Sequence, residues 1–506
     1  MEDDAAESAP AAGGVALSLS TEYSFYTADT AVDTIVGVHL QAPVAPNASE
    51  RAPVDCVVVC DVSGSMAGGK LDLMKETIKL LLGEFSARDR VGLVTFDTSV
   101  SECLALTHMD ERAKVAASTV ASSLRPGSST NLSGGCFAGI QTLLGAGGNN
   151  SGAVRTVLLM TDGQANHGLI RATEIVPVLE GMLRGSGITL HTFGYGADHD
   201  STLLRSLATA GSGSYYFVEG VDDIRTAFGD CLGGILSVVA QNLQLEIEAC
   251  NGTTISAVHH KSAVCVAAGR RFRVPFADLY GEEQRDVLVR VTLPACTPVK
   301  DAALPEATLL RATLRYIDVV GKASGESRAA VGSARPAGAA AGAVRNPELA
   351  LQAARLQVAA TLEEARGFAD RGDLAGARAR IAATEAHLAA LGEQTRGLKS
   401  AEAMMPAFVQ DLRECHDGLR DRETYRSKQH DFASMAEGHA QQRCMSSKGA
   451  SANAYRTHGK GAMAAAFSSH MSPHHEVKDD DEGNPPPPSR VTHPPPYPHP
   501  TTTTTE

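Results

Sequence analysis

The chain has 506 residues, 20% of them charged and 43% apolar, enough to bury more than one core. Its formal net charge of −13 excludes a nucleic-acid partner, which would need a basic face. The ten cysteines are scattered with no C-x-x-C pair, so no structural zinc site is expected, and the thiols read as small, reduced packing residues.

The N-terminus, Met1 to Ser8, is acidic and lacks the basic-then-apolar order of a secretory leader. No apolar stretch approaches the roughly 18 residues that cross a bilayer. The expectation is a cytoplasmic protein without a membrane span. Residues 1–13 read as disordered, and 14–45 as two strands. In the first, Val15, Leu17 and Leu19 alternate with Ala16, Ser18 and Ser20; Ile35 to Leu40 forms the second.

After a polar linker, residues 53–238 alternate apolar runs (55–60, 91–96, 99–104, 154–160, 188–193, 214–218) with helical periods such as Leu71, Met74, Ile78, Leu81 and Leu82. This predicts an α/β fold, a Rossmann-like parallel sheet with helices on both faces. Such sheets bind ligands at the carboxyl ends of their strands. Asp61-Val62-Ser63-Gly64-Ser65-Met66 leaves the first run there. Carboxylate and hydroxyl oxygens at alternate positions suit a hard cation such as Mg²⁺. Equally, Asp61 and Ser63 could satisfy backbone donors at a helix N-terminus.

Two further segments narrow the choice: Thr161-Asp162-Gly163, ending another buried run, and Gly127-Ser128-Ser129-Thr130-Asn131-Leu132. The three-part set resembles the von Willebrand factor A (vWA) domain and its metal-ion-dependent adhesion site. The phrases Arg90 to Phe96 and His191 to Gly196 fit as well. The resemblance implies that Ser63, Ser65 and Thr130 ligate Mg²⁺ (or Mn²⁺ or Ca²⁺) directly. It implies that Asp61 and Asp162 act mainly through waters in at least one state. Ser128, Ser129 and Thr130 stand in a row, and Thr130-Asn131-Leu132 is the register that fits the family. With few carboxylates around it, such a cation keeps positive charge for an Asp or Glu of a protein partner.

Catalysis is not expected. No G-x-S-x-G elbow is present, His167 has no evident nucleophile, and Gly211-Ser212-Gly213 lacks the lysine of a phosphate loop.

Residues 239–322 read as strands of a β-sandwich into which the vWA domain is inserted. Leu243, Leu245 and Ile247 alternate with polar residues, and Asn251-Gly252 marks a hairpin turn. Residues 323–345, rich in Gly, Ala and Ser, read as a linker. Residues 346–447 read as helical hairpins. Asn346-Pro347-Glu348 starts the first, Arg371-Gly372-Asp373 breaks it, and further helices run over 374–391 and about 400–422. Gly372 to Arg378 and Gly438 to Arg443 resemble phrases of the vWA-interacting (Vwaint) domain that follows vWA domains in plant and protist proteins.

Some plant proteins of that layout also carry a RING finger and act as ubiquitin ligases. This sequence departs from them, having no zinc-spaced Cys/His octet. Two functions follow as expectations: a metal-dependent interaction scaffold, or a substrate-recruiting accessory subunit of a ligase or other complex. Residues 448–506 read as a disordered His/Pro/Thr-rich tail. Its Pro494-Pro495-Pro496-Tyr497 is a sequence of the kind WW domains bind.

Overall fold

The computed structural model describes residues 14–47, 49–146, 152–196, 198–296, 307–336, 342–443, 450–462 and 465. The expectations for residues 1–13 and for Pro494 to Tyr497 lie outside the described residues.

Two strands open the fold, β1 (Ala16–Thr21) and β2 (Val32–Gln41). The chain then builds an α/β domain from β3 (Val54–Asp61), α1 (Gly69–Glu84), β4 (Arg90–Phe96), β5 (Val100–His108), α2 (Glu111–Ser123), α3 (Leu132–Gly145), β6 (Val154–Thr161), α4 (Ala172–Leu183), β7 (Ile188–Tyr195), α5 (Ser201–Ala210), β8 (Ser212–Val218) and α6 (Val221–Leu236). The sheet order is β5-β4-β3-β6-β7-β8. All neighbours are parallel except the edge strand β5, which runs antiparallel to β4. The two are joined by the short turn at Asp97 to Ser99, which leaves no length for a crossover. Every residue of β3, β6 and β7 is buried, as strands covered on both faces require. A Cβ at Gly139 would strike Val59, so glycine lets α3 lie close on β3.

The flanking strands form a β-sandwich interrupted by this domain. It adds β9 (Val238–Ala249), β10 (Thr254–His259), β11 (Val264–Ala267), β12 (Arg271–Tyr280), β13 (Gln284–Leu293), β14 (Ala307–Asp318) and β15 (Ala323–Ser333). One sheet is β1-β2-β13-β10 and the other β11-β12-β9-β14-β15. Val36, Val38 and Leu40 from the first meet Leu243, Leu245 and Ile247 from the second in one core. Because β2 precedes the α/β domain and its partner β13 follows it, the sandwich closes only when both ends of the insertion come together.

Three expectations change here. Asn251 and Gly252 do form a turn with both φ positive (46° and 76°), yet β9 and β10 are not paired. The turn carries the chain from one sheet to the other, where Ile255 pairs with Val291. The expected linker over 323–345 is strand β15 as far as Ser333, paired along β14. Its alternation is carried by Ser327, Ala329 and Ser333, side chains too small to give an apolar signal. The expectation of disorder from 448 onward does not hold for the described residues of that stretch. Residues 450–462 include α11 (Ala450–Ala454), Tyr455 bonded to His439 Nδ1 at 2.9 Å, and a buried Lys460 facing Asp230 at 3.3 Å.

The helices α7 (Pro347–Asp370), α8 (Leu374–Gln394), α9 (Lys399–Gly418) and α10 (Arg422–Gln441) share a third core. Asn346 caps α7 with Pro347 at its first position. The sequence did not announce α10, a mostly polar helix that buries Tyr425, Phe432 and Met435. The segment after it plugs the bundle onto the sandwich. Gln442, with φ 52°, donates from Nε2 to Asp286, and Arg443 pairs with Glu283 at 2.8 Å and donates to the Asp278 carbonyl at 2.7 Å. From α7, buried Arg355 donates to the carbonyls of His439, Ala440 and Asp286.

Candidate metal centre

Parallel register sets the first two positions. Cys60 pairs with Met160 and Asp61 with Phe96, so Asp61 and Asp162 emerge side by side where β3 and β6 end. The third loop is tied to the first by backbone. Val62 donates to the Phe96 carbonyl at 2.9 Å, Gly127 to the Val62 carbonyl at 2.5 Å, and Gly64 to the Ser128 carbonyl at 2.9 Å. The Thr130 N–H donates to Asn166 Oδ1 at 2.7 Å, and its carbonyl accepts from Asn166 and His167 at 3.1 and 3.2 Å. Asp61, Ser63, Ser65, Thr130 and Asp162 thus lie on three interlocked loops at one edge of the sheet.

Asp61, Ser63 and Asp162 are fully buried and Thr130 nearly so, whereas Ser65 is exposed on the turn Gly64–Met66. Ser128 is exposed and Ser129 half-buried, so within that run it is Thr130 that turns inward. The Asp61 carboxylate accepts from the Ser63 N–H at 2.8 Å and from the Thr161 hydroxyl at 2.5 Å; that hydroxyl in turn accepts from the Gly163 N–H at 2.8 Å. Burial pushes the Asp61 carboxyl up to about 6, despite those hydrogen bonds, and neighbouring Asp162 adds to the rise. The Ser63 and Ser65 hydroxyls lie 3.1 Å apart.

The helix-cap reading fares poorly. Ser63 makes no side-chain cap to the turn that follows it, and α1 is preceded by Gly68, which has no side chain to offer. Asp61 does satisfy the Ser63 N–H, as that reading expects. Two carboxylates and three hydroxyls, with no thiol or imidazole among them, suit a hard divalent cation. No group of three or more His, Cys, Asp or Glu side chains able to hold a metal is found among the described residues. The hydroxyls would therefore have to supply the remaining ligands.

Lys70, Gln164, Asn166 and Asp198 were not singled out from sequence. Lys70 Nζ lies 3.3 Å from Asp162 Oδ2 and 2.8 Å from Asp198 Oδ1, and Gln164 Nε2 donates to Asp198 at 3.1 Å. A lysine entering a helix and an aspartate after a strand carry no local signal; only the fold unites them. His167 is exposed on its loop. A cavity of about 810 Å³ between α5, α7 and α10 shares no residue with these loops. Its carboxylates are already engaged, Glu363 by Arg366, Glu437 by Lys261 and Asp370 by Tyr425.

The interrupted sandwich and the three-loop edge define the class: a vWA-containing protein. Residues 55–229 match the von Willebrand factor type A domain. Over 254 residues the chain is 29% identical to E3 ubiquitin-protein ligase WAV3 of Arabidopsis thaliana, a match covering 49% of this chain and 32% of WAV3. Over 173 residues it is 28% identical to inter-alpha-trypsin inhibitor heavy chain H1 of Mesocricetus auratus, covering 33% of this chain and 19% of that one. The chain therefore spans a third or less of the length of these relatives. The von Willebrand factor type A structure from Catenulispora acidiphila aligns with a TM-score of 0.58 at 16% identity, over 80% of this chain and 91% of its own. The ArnB paralog VWA2 from Sulfolobus acidocaldarius aligns at 0.52 and 14%, over 82% and 98%. These two likenesses concern the fold. No helix among the described residues is long and apolar enough to cross a membrane.

Proposed function

We propose that this chain is a cytoplasmic, metal-dependent protein-interaction adaptor without catalytic activity of its own. Ser63, Ser65 and Thr130 would hold Mg²⁺, or Mn²⁺ or Ca²⁺, with Asp61 and Asp162 oriented behind them. The ion would supply a positive centre for an Asp or Glu side chain of a partner. One observation carries this reading: buried Asp61, Ser63, Thr130 and Asp162 lie together with Ser65 on three interlocked loops where the parallel strands end, an all-oxygen set that suits a hard cation. The chain's own residues orient the site. Thr161 and the Ser63 N–H aim Asp61, and Asn166 fixes the loop of Thr130.

The likeness to WAV3, named an E3 ubiquitin-protein ligase, favours a second role of the same surface. The chain would recruit substrates for such a ligase, with 346–447 acting as a Vwaint-like module and Pro494 to Tyr497 as a WW-domain ligand. Affinity capture with wild type and Asp61→Ala, each with Mg²⁺ and with EDTA, tests the adaptor reading. A partner retained only by wild type in Mg²⁺ supports it. Partners equally retained in EDTA and by the variant contradict it.

A further inference from the structure

Lys70 is placed where helix physics disfavours it. It is the second residue of α1, beside the positive end of the helix dipole. Its position is explained by what it reaches: buried Asp162 at 3.3 Å and Asp198 at 2.8 and 3.0 Å. The fold makes room for its stem. Gly196 has φ +80°, and a Cβ there would stand 2.6 Å from Lys70 Cε. Gln164 donates to both the carbonyl and the carboxylate of Asp198 at 3.1 Å, fixing the far end of the bridge.

We propose that Lys70 is an internal cation that competes with the metal for Asp162 and so sets the metal affinity of the site. The proposal rests on the metal-site reading above. Asp61, Asp162 and Asp198 carry three negative charges and Lys70 one positive, so a divalent ion brings the cluster to neutrality. Its arrival at Asp162 sets a like charge against the ammonium, which withdraws onto Asp198. Lys70 thus keeps the site from holding its ion too tightly, and it leaves the bound ion without the surplus negative charge that would repel a partner carboxylate. The two residues act with opposite signs. Removing Lys70 leaves an extra negative charge beside the ion; removing the Asp198 charge leaves the ammonium to Asp162 alone.

Calorimetric titration of the full chain with Mg²⁺ alone reads this directly. K70M should tighten binding by about tenfold, the scale of a unit charge acting at a few ångströms in a partly screened site. K70R, which keeps the charge, should stay close to wild type, and D198N should weaken binding. In EDTA the K70M melting temperature should fall below wild type, and saturating Mg²⁺ should raise it by more than it raises wild type. Wild-type binding with K70M equal or weaker would overturn the role of Lys70 while leaving the metal site standing. Absence of binding in wild type, K70M and S65A alike would overturn both.

Discussion

Two regions of this molecule bury charge, and they do so in opposite ways. At the seam between bundle and sandwich, nearly every charged group has a partner. Arg443 meets Glu283 and the Asp278 carbonyl and stacks over Tyr280, while Arg285 also reaches Glu283 at 2.7 Å. Burial would push the Glu283 carboxyl up, but Arg285 and Arg443 outweigh it and hold it at about 2. At the vWA edge, Asp61 is as deeply buried, yet it gains two neutral donors and no cation, and its carboxyl rises to about 6. The seam is not uniform: its buried Asp278 carboxyl, bonded to the Gln241 amide at 2.9 Å, is also pushed up to about 6. What sets the vWA edge apart is that its buried carboxylates and hydroxyls lie together on three loops at the carboxyl ends of the strands, where α/β sheets bind ligands.

The largest expected effect breaks the seam. Arg443→Ala leaves Glu283 and the Asp278 carbonyl without that guanidinium in a buried site, and should cost about 3–5 kcal/mol by urea denaturation.

Acid should strain the same region next. Burial holds His191 neutral, its imidazole lowered to about 3, with Arg443 and Lys460 adding to the effect. Its Nδ1 accepts from the Ser214 N–H at 3.1 Å, while Nε2 has no partner among the described residues. A histidine depressed in the folded state contributes stability that is fully present above its unfolded value near 6.5 and is lost as pH falls toward 3. Thermal unfolding between pH 7 and 4 should show that loss, and His191→Gln should flatten its slope.

The vWA edge should respond differently. Asp61→Asn in EDTA should leave unfolding free energy within about 1 kcal/mol of wild type, because relief of a buried carboxylate offsets its hydrogen bonds. A loss as large as that of Arg443→Ala would make Asp61 a structural residue. The smallest effect belongs to the exposed face of β15, where Arg328 pairs with Glu326 at 2.6 Å. Arg328→Ala should shift stability by less than about 0.5 kcal/mol in the same urea assay.

How much of this was legible depended on whether the signal was local. The buried strands of the vWA domain, their order along the chain and the loops of Asp61 and Asp162 follow from apolar runs and turn residues in short windows. The strand β15 was not legible, because Ser327, Ala329 and Ser333 fill a buried face without apolar bulk. The path of β10 was hidden too: a left-handed Asn251-Gly252 turn fixes local backbone and leaves open which sheet receives the next strand. The contact of Lys70 with Asp162 and Asp198 spans 92 and 128 residues, and only the finished sheet brings them together. Likewise α10 spreads its buried Tyr425, Phe432 and Met435 along a mostly polar helix, and the Lys460 segment is held by its contact with Asp230, so hydrophobic periodicity registers neither strongly.

The central claim is that the underpaired vWA edge holds a divalent cation. Calorimetric titration of Mg²⁺ and Mn²⁺ into wild type and Asp61→Ala tests it most directly. Saturable binding to wild type that is lost in the variant is the predicted result. No binding to wild type, or equal binding to both, would contradict it.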